Sequence, residues 1–237
     1  MKLIALDSSG NVASVAILAE GRILGEYSID YKTTHSQTLL PMLDELCRRV
    51  EFEPSDAEAI AVASGPGSFT GLRIGAAAAK GMAEALGIGI LPVPTLEGLC
   101  YRADEWQGVI CPLLDARRQQ VYSGIYRFDP EGHLQTLVPG EALPLEEQLK
   151  RLEAYPEEAL LLGDGTDALR DAIISNMKGK YRFAPPHRRY QSAAAVAMRA
   201  LELGEAAIVP AEDFAPEYLR RSQAEREREE RLAGGGA

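Results

Sequence analysis

The stretch Leu3-Ile4-Ala5-Leu6-Asp7-Ser8-Ser9-Gly10-Asn11 has a counterpart at Val109-Ile110-Cys111-Pro112-Leu113-Leu114-Asp115. Each is a continuous apolar run that ends in an aspartate. A run of this length reads as a strand buried on both faces. The chain continues in a similar order after each run. After the first come a strand over residues 13–18, a tight reversal at Glu20-Gly21 and a third strand over 22–29. A helix over 36–50 is next, then a buried strand over 59–63, a glycine-rich turn, a helix ending near Leu86, a strand over 90–93 and a short helix over 95–102. After the second run come a strand over 120–128, a turn at Asp129-Pro130-Glu131-Gly132 and a helix over 144–152. Leu160-Leu161-Leu162 then leads into Gly163-Asp164-Gly165 and a helix over 166–177, and a last helix covers 192–203. Strand, hairpin, helix, strand, helix occurring twice implies an internal duplication of a mixed-sheet α/β unit.

The helix over 36–50 repeats Leu39, Leu43, Leu46 and Val50 along one face. Asp44 with Arg48, and Glu45 with Arg49, are i,i+4 pairs on the other side, each worth about 0.3 kcal/mol. Pro41 requires that the helix start late or kink there. The glycine turn is Gly65-Pro66-Gly67-Ser68-Phe69-Thr70-Gly71-Leu72-Arg73-Ile74-Gly75. Glycines here permit a structural turn with a closely packed helix, or a helix N-terminus offering N–H groups to an anion. It is not a P-loop, because no Gly-Lys-Ser/Thr is present. Gly71, Gly75, Ala78, Ala79 and Met82 lie near one helix face, which suits close packing within the chain or a two-fold contact with a partner.

Chain length, 237 residues, fits two lobes of about a hundred residues each. We divide it into an N-terminal lobe over 1–105, a C-terminal lobe over 106–222 and a charged tail over 223–237. The tail contains the charge run 224–231 and the glycines 234–236, and is expected to fray or be disordered. Apolar residues make up 46%, enough for a sizeable core. No apolar stretch is long enough to span a membrane. The first residues lack the pattern of a signal peptide, so the expected location is cytoplasmic. Net charge is −10, which opposes independent binding to a phosphate backbone. Arg117-Arg118 and Arg188-Arg189 are the only basic doublets considered as a local patch. Cys47, Cys100 and Cys111 form no C-x-x-C pair and read as buried thiols. His35, His133 and His187 are scattered, with no spacing suited to a metal or to a triad. No cofactor and no metal are expected.

Asp7 and Asp115 could orient a metal and water if the hairpin loops beside them gripped phosphate. Ser8-Ser9 and Ala116-Arg117-Arg118 are bulkier than the glycines such loops usually carry. A vestigial nucleotide cleft would be lined by Asp7, Ser8, Ser9, Asp115, Gly163 and Gly165.

Several stretches together resemble the TsaB (YeaZ) family. They are Ile4-Ala5-Leu6-Asp7-Ser8-Ser9, His35-Ser36-Gln37-Thr38-Leu39-Leu40-Pro41-Met42, the span 64–75, Pro94-Thr95-Leu96-Glu97-Gly98-Leu99 and Pro216-Glu217-Tyr218-Leu219-Arg220. The resemblance implies the two-lobe fold of actin, sugar kinases and the heat-shock chaperone ATPase (ASKHA). It also implies a catalytic paralogue, TsaD, whose metal-binding H-x-x-x-H pair would fall at Thr95 and Leu99. Neither side chain can replace imidazole. The implied role is therefore a non-catalytic scaffold for tRNA threonylcarbamoyladenosine synthesis. It pairs with TsaD or with itself through the first lobe, is joined by the ATPase TsaE, and meets tRNA only indirectly. The implied interface uses the helices bearing Leu39, Leu43 and Leu46 and Gly71, Gly75, Ala78, Ala79 and Met82. The alternatives are a nucleotide-binding kinase or ATPase of the same fold and, with its ligands missing, a metal-dependent peptidase.

Overall fold

The computed structural model describes residues 1–31 and 34–219. The expected tail, 223–237, lies outside them, as does Arg220. Two five-stranded sheets carry the duplication. In the first half, β1 (Leu3–Asp7), β2 (Ala13–Ala19) and β3 (Arg22–Ile29) form an antiparallel meander. Glu20 and Gly21 both have positive φ, 53° and 71°, as the two-residue hairpin requires. Helix α1 (His35–Arg49) leads to β4 (Ala59–Gly65), α2 (Phe69–Leu86), β5 (Gly89–Pro94) and α3 (Thr95–Cys100). Pro41 lies inside α1, so the helix does not start late. The second half has β6 (Val109–Asp115), β7 (Gln120–Phe128), β8 (Leu134–Pro144), α4 (Leu145–Leu152) and β9 (Ala159–Leu162). Beyond these lie α5 (Gly165–Ala168), α6 (Arg170–Asn176), β10 (Tyr181–Phe183), α7 (Pro186–Arg189) and α8 (Ala193–Leu203). Sheet order is β3-β2-β1-β4-β5 in one lobe and β8-β7-β6-β9-β10 in the other. These are the same topology, so the duplication read from the sequence is present in the fold.

Strand β1 shows why the apolar runs are continuous. Ile4 and Leu6 face α1 and α2, packing with Leu39, Leu43, Leu46, Ala76 and Ala79. Leu3 and Ala5 face the opposite way, onto Ala193, Val196, Ala197 and Ala200 of α8. In the second sheet, Val109, Cys111 and Leu113 pack with α4 and Ile173, while Ile110 and Leu114 pack with Leu96, Leu99 and Cys100 of α3.

These contacts cross the division at residues 105 and 106 read from sequence. Helix α8, assigned to the C-terminal lobe, covers the first sheet, and α3, assigned to the N-terminal lobe, covers the second. The two helices pack against each other between the sheets. Glu26 on β3 helps seat α8: its Oε1 accepts hydrogen bonds from Ser14 Oγ (3.0 Å), Ser192 Oγ (2.6 Å) and Ala194 N (3.1 Å). A carboxylate at a helix N-terminus also complements the helix dipole. The chain then returns to the first lobe. Val209 bridges to Ile90, Lys80 Nζ donates to Phe214 O at 2.9 Å, and Glu217 N donates to Ser64 O at 2.7 Å.

The elements differ from expectation in two ways. The helix over 166–177 is broken at Leu169, where φ is −120° and ψ 20°, giving α5 and α6. Strands β8 and β10 and the short helix α7 were not expected from the sequence.

Candidate functional site

Two surfaces qualify as sites: a cleft between the lobes and a groove on the first lobe. The cleft is a cavity of about 520 Å³. Its walls come from matching places in the two lobes, the ends of β1 and β6 and the glycine turns after β4 and β9. Ser9, Ser68, Thr70, Asp115, Asp164 and Tyr218 line it.

The first-lobe side is closed by the glycine turn. A Cβ on Gly67 would lie 2.4 Å from Ser9 O, one on Gly71 2.0 Å from Ser8 O, and one on Gly75 2.5 Å from Ser8 Oγ. Ser68 N donates to Ser9 O at 2.7 Å, and Ser8 Oγ to Gly71 O at 2.9 Å. The small-residue face of α2 therefore meets the Ser8–Ser9 loop and β4 within the same lobe. Ser68 caps α2, accepting from Gly71 N. These contacts hold the Ser8–Ser9 backbone against the turn, while Ser9 and Ser68 still face the cavity.

Asp7 lies beneath that contact with 3% of its surface exposed. Its Oδ1 accepts from Ser9 N (2.9 Å) and Ser9 Oγ (2.6 Å). Burial pushes its pKa up to about 6, against the lowering effect of those two bonds. Asp115 does reach the cleft. It pairs with Arg117 at 3.2 Å, and its backbone N–H donates to Asp164 Oδ1 at 3.1 Å. Burial raises the pKa of Asp164 as well. Gly163, with φ of 99°, and Gly165 are held against Leu113 O, where a Cβ would come within 2.3 and 2.8 Å. Of the six cleft residues named from sequence, only Ser9 and Asp115 line the cavity. Asp7, Ser8, Gly163 and Gly165 support its walls. Asp164, which the nucleotide-binding alternative takes with Gly163 and Gly165, also lines the cavity, and so does Tyr218, which was not expected there and whose ring lies 4.8 Å from that of Phe69.

The groove runs between α1 and α2 and encloses about 630 Å³. Leu40, Leu43, Met82, Ala85 and Leu86 line it, and Leu40 is 49% exposed. Several residues expected to form this interface are elsewhere. Leu39, Leu46 and Ala79 point into the lobe's own core, Ala78 is partly buried against it, and Gly71 and Gly75 pack on Ser8. A side chain already surrounded by its own lobe cannot be the one a partner touches. Leu43 reaches only the floor of the groove and is otherwise buried in the same core, while Met82 remains partly exposed there, joined by Leu40, Ala85 and Leu86, which were not expected in the interface.

The segment Thr95-Leu96-Glu97-Gly98-Leu99 is committed to structure. Thr95 Oγ1 accepts from Gly65 N at 3.1 Å, Leu99 is buried beneath the second sheet, and Glu97 pairs with Arg199 at 2.7 Å. Among the described residues no three His, Cys, Asp or Glu side chains gather as a metal site. The cysteines are free and buried. His35 is more than a surface residue, since its Nε2 lies 2.8 Å from Gly10 O. Arg188 pairs with Glu105 and Arg189 with Asp167, so this basic doublet is already neutralised. No helix among the described residues is long and apolar enough to cross a membrane.

A duplicated β-meander unit, two crossed-over helices and a cleft between the lobes define a two-lobe α/β protein of the ASKHA class. Known proteins narrow the class. The family model for TsaD, tRNA N6-adenosine threonylcarbamoyltransferase, matches residues 22–228. The Bacillus subtilis tRNA threonylcarbamoyladenosine biosynthesis protein TsaB is 33% identical over 227 residues, covering 95% of this chain and 96% of its own. Two Pseudomonas aeruginosa structures superpose on 92% of this chain and 99% of theirs. One is a protein described as similar to peptidase YeaZ (30% identical, TM-score 0.77), the other YeaZ itself (27%, 0.73). The chain belongs to the TsaB (YeaZ) family of tRNA threonylcarbamoyladenosine biosynthesis proteins.

Proposed function

We propose that this chain is a non-catalytic partner subunit that docks the catalytic subunit TsaD through the α1–α2 groove. The supporting observation is the groove itself, in which Leu40 stands half-exposed beside Met82, Ala85 and Leu86 with no covering element from the described residues. Loss of catalysis is supported by the structural commitment of Thr95 and Leu99, the positions where the resemblance puts the paralogue's metal ligands. In this reading the chain can also pair with itself through the groove, TsaE joins the assembly, tRNA is met through the partner, and the setting is the cytoplasm. The nucleotide-binding alternative has the cleft as its support, but Ser8 is packed against α2 and Asp7 is withdrawn from the cavity.

The test is light scattering and titration with the cognate TsaD. A stable complex would bury roughly 800 Å² per partner, with a few central side chains carrying most of the affinity. The double variant Leu40→Asp/Met82→Asp should lose about a hundredfold or more in affinity while it stays folded, with a midpoint lowered by the loss of Met82's packing on the core. Unchanged binding by a folded double variant would move the interface elsewhere.

A further inference from the structure

The rim of the α1–α2 groove carries a charge imbalance that bears on what can sit there. Three carboxylates, Asp44, Glu51 and Glu53, border it against one guanidinium, Arg48. Arg48 is not free to balance them, because it is paired with Asp44 and lies 3.8 Å from Glu45. Glu51 and Glu53 are exposed and have no ion-pair partner among the described residues. The same imbalance reaches the floor. The Cys47 thiol has its pKa raised first by burial and then by the negative charges of Asp44 and Glu53.

We infer that the groove is an apolar seat with an acidic rim, fitted to a partner helix face edged by lysine and arginine and disfavouring a second copy of this chain. The inference rests on the docking role proposed above and adds the partner's chemistry. A two-fold interface brings the same patch of both copies together, so self-pairing sets Glu51 and Glu53 of one copy near the acids of the other. A basic-edged partner turns that repulsion into attraction. Rim charges act mainly through encounter rate and salt dependence, so salt is the discriminating variable.

The experiment uses the full chain at about 30 mM and about 0.5 M salt, where screening goes from weak to nearly complete. Self-association and binding to TsaD are each measured at both. The wild-type homodimer should tighten by about tenfold as salt rises, while the TsaD complex weakens by a similar factor. The charge-reversed variant Glu51→Lys/Glu53→Lys alters two solvent-facing side chains outside the core. It should bind TsaD more weakly at low salt, and it should pair with the wild-type chain more tightly than either pairs with itself, because only the mixed pair sets lysines against glutamates. A wild-type homodimer that weakens with salt, or a charge-reversed variant that binds TsaD as tightly as wild type at low salt, overturns the inference. The Leu40→Asp/Met82→Asp variant separates the two levels. If it still binds TsaD, the docking role falls. If it fails to bind while Glu51→Lys/Glu53→Lys binds normally, the groove stands and only its charge preference falls.

Discussion

Two glycines on one helix should respond in opposite ways to the same substitution. Gly71 is in the first turn of α2, and a methyl group there would sit 2.0 Å from Ser8 O. That is backbone, at the end of a strand buried on both faces, and cannot swing aside. The helix N-terminus must lift instead. Overpacking of this kind costs about 1–3 kcal/mol. Lifting the helix also loosens the Ser8 Oγ bond to Gly71 O, worth about 1 kcal/mol. Alanine's better helix propensity returns less than about 1 kcal/mol. The net loss from Gly71→Ala is therefore about 1–4 kcal/mol, a fall in thermal midpoint of about 2–16 °C for a chain of this size. Gly81 lies in the same helix with nothing within 4 Å of a Cβ. Gly81→Ala should gain up to about 1 kcal/mol and raise the midpoint by about 2–4 °C. Calorimetry on the two variants and the parent is the assay, with TsaD binding measured on each. If Gly71→Ala keeps the parent's midpoint and loses TsaD, the small-residue face is an interface after all, and its packing against Ser8 is not what holds α2.

Asp7→Asn should change how stability depends on pH. The folded pKa of Asp7 is about 6 against 3.8 as its reference, so between those values the native state holds a proton that the unfolded state has released. Stability from this group is fully present below about pH 4 and is lost as pH rises through about 6, by up to about 3 kcal/mol. Asparagine can still accept from Ser9 N and Ser9 Oγ. Urea unfolding from pH 4 to 8 should therefore show a smaller decline in the variant, and equal slopes would refute the assignment. Glu26→Ala removes three hydrogen bonds that seat α8 and should cost about 2–4 kcal/mol. Calorimetry would show this as a fall in midpoint, and a fall of under about 2 °C would show that α8 is held by apolar packing alone.

Most strands and long helices were legible because their cause is local. A strand buried on both faces has to be apolar throughout, and β1, β4, β6 and β9 are largely so. Strand β8 hid because Pro139, Gly140 and Pro144 break its pattern. An edge strand tolerates them, and the pairing of β7 with β8 shifts register twice nearby. The split at Leu169 has no marker in residue type. Lobe membership of α3 and α8 was unreadable for another reason: an apolar helix face states that it is covered, not by which sheet. The same limit applied to the interface. Leu39, Leu43 and Leu46 share a face, but periodicity does not say whether a sheet of the same lobe or another chain covers it.

The duplication makes the difference between the two halves informative. Both lobes end their first strand in an aspartate and press a glycine turn against the chain beside it, at Ser8 and Ser9 after Asp7 and at Leu113 before Asp115. In the first lobe the turn carries Gly67, Gly71 and Gly75, and the longer contact seals the loop beneath α2 and buries the acid. In the second lobe only Gly163 and Gly165 make the contact, α5 ends after four residues, and Asp115 stays at the cavity. The second hairpin also differs, because Arg117, Arg118 and Gln119 all have positive φ and the Arg117 side chain is 86% exposed. The two aspartates thus stand differently to the cavity: Asp115 lines it and Asp7 does not. The first-lobe contact fixes α2 rigidly on its sheet, and α2 is one of the two walls of the groove. The residues packed on Ser8 and Ser9 therefore hold one wall of the groove in place, so a change at Gly71 would reach that wall only by way of the fold.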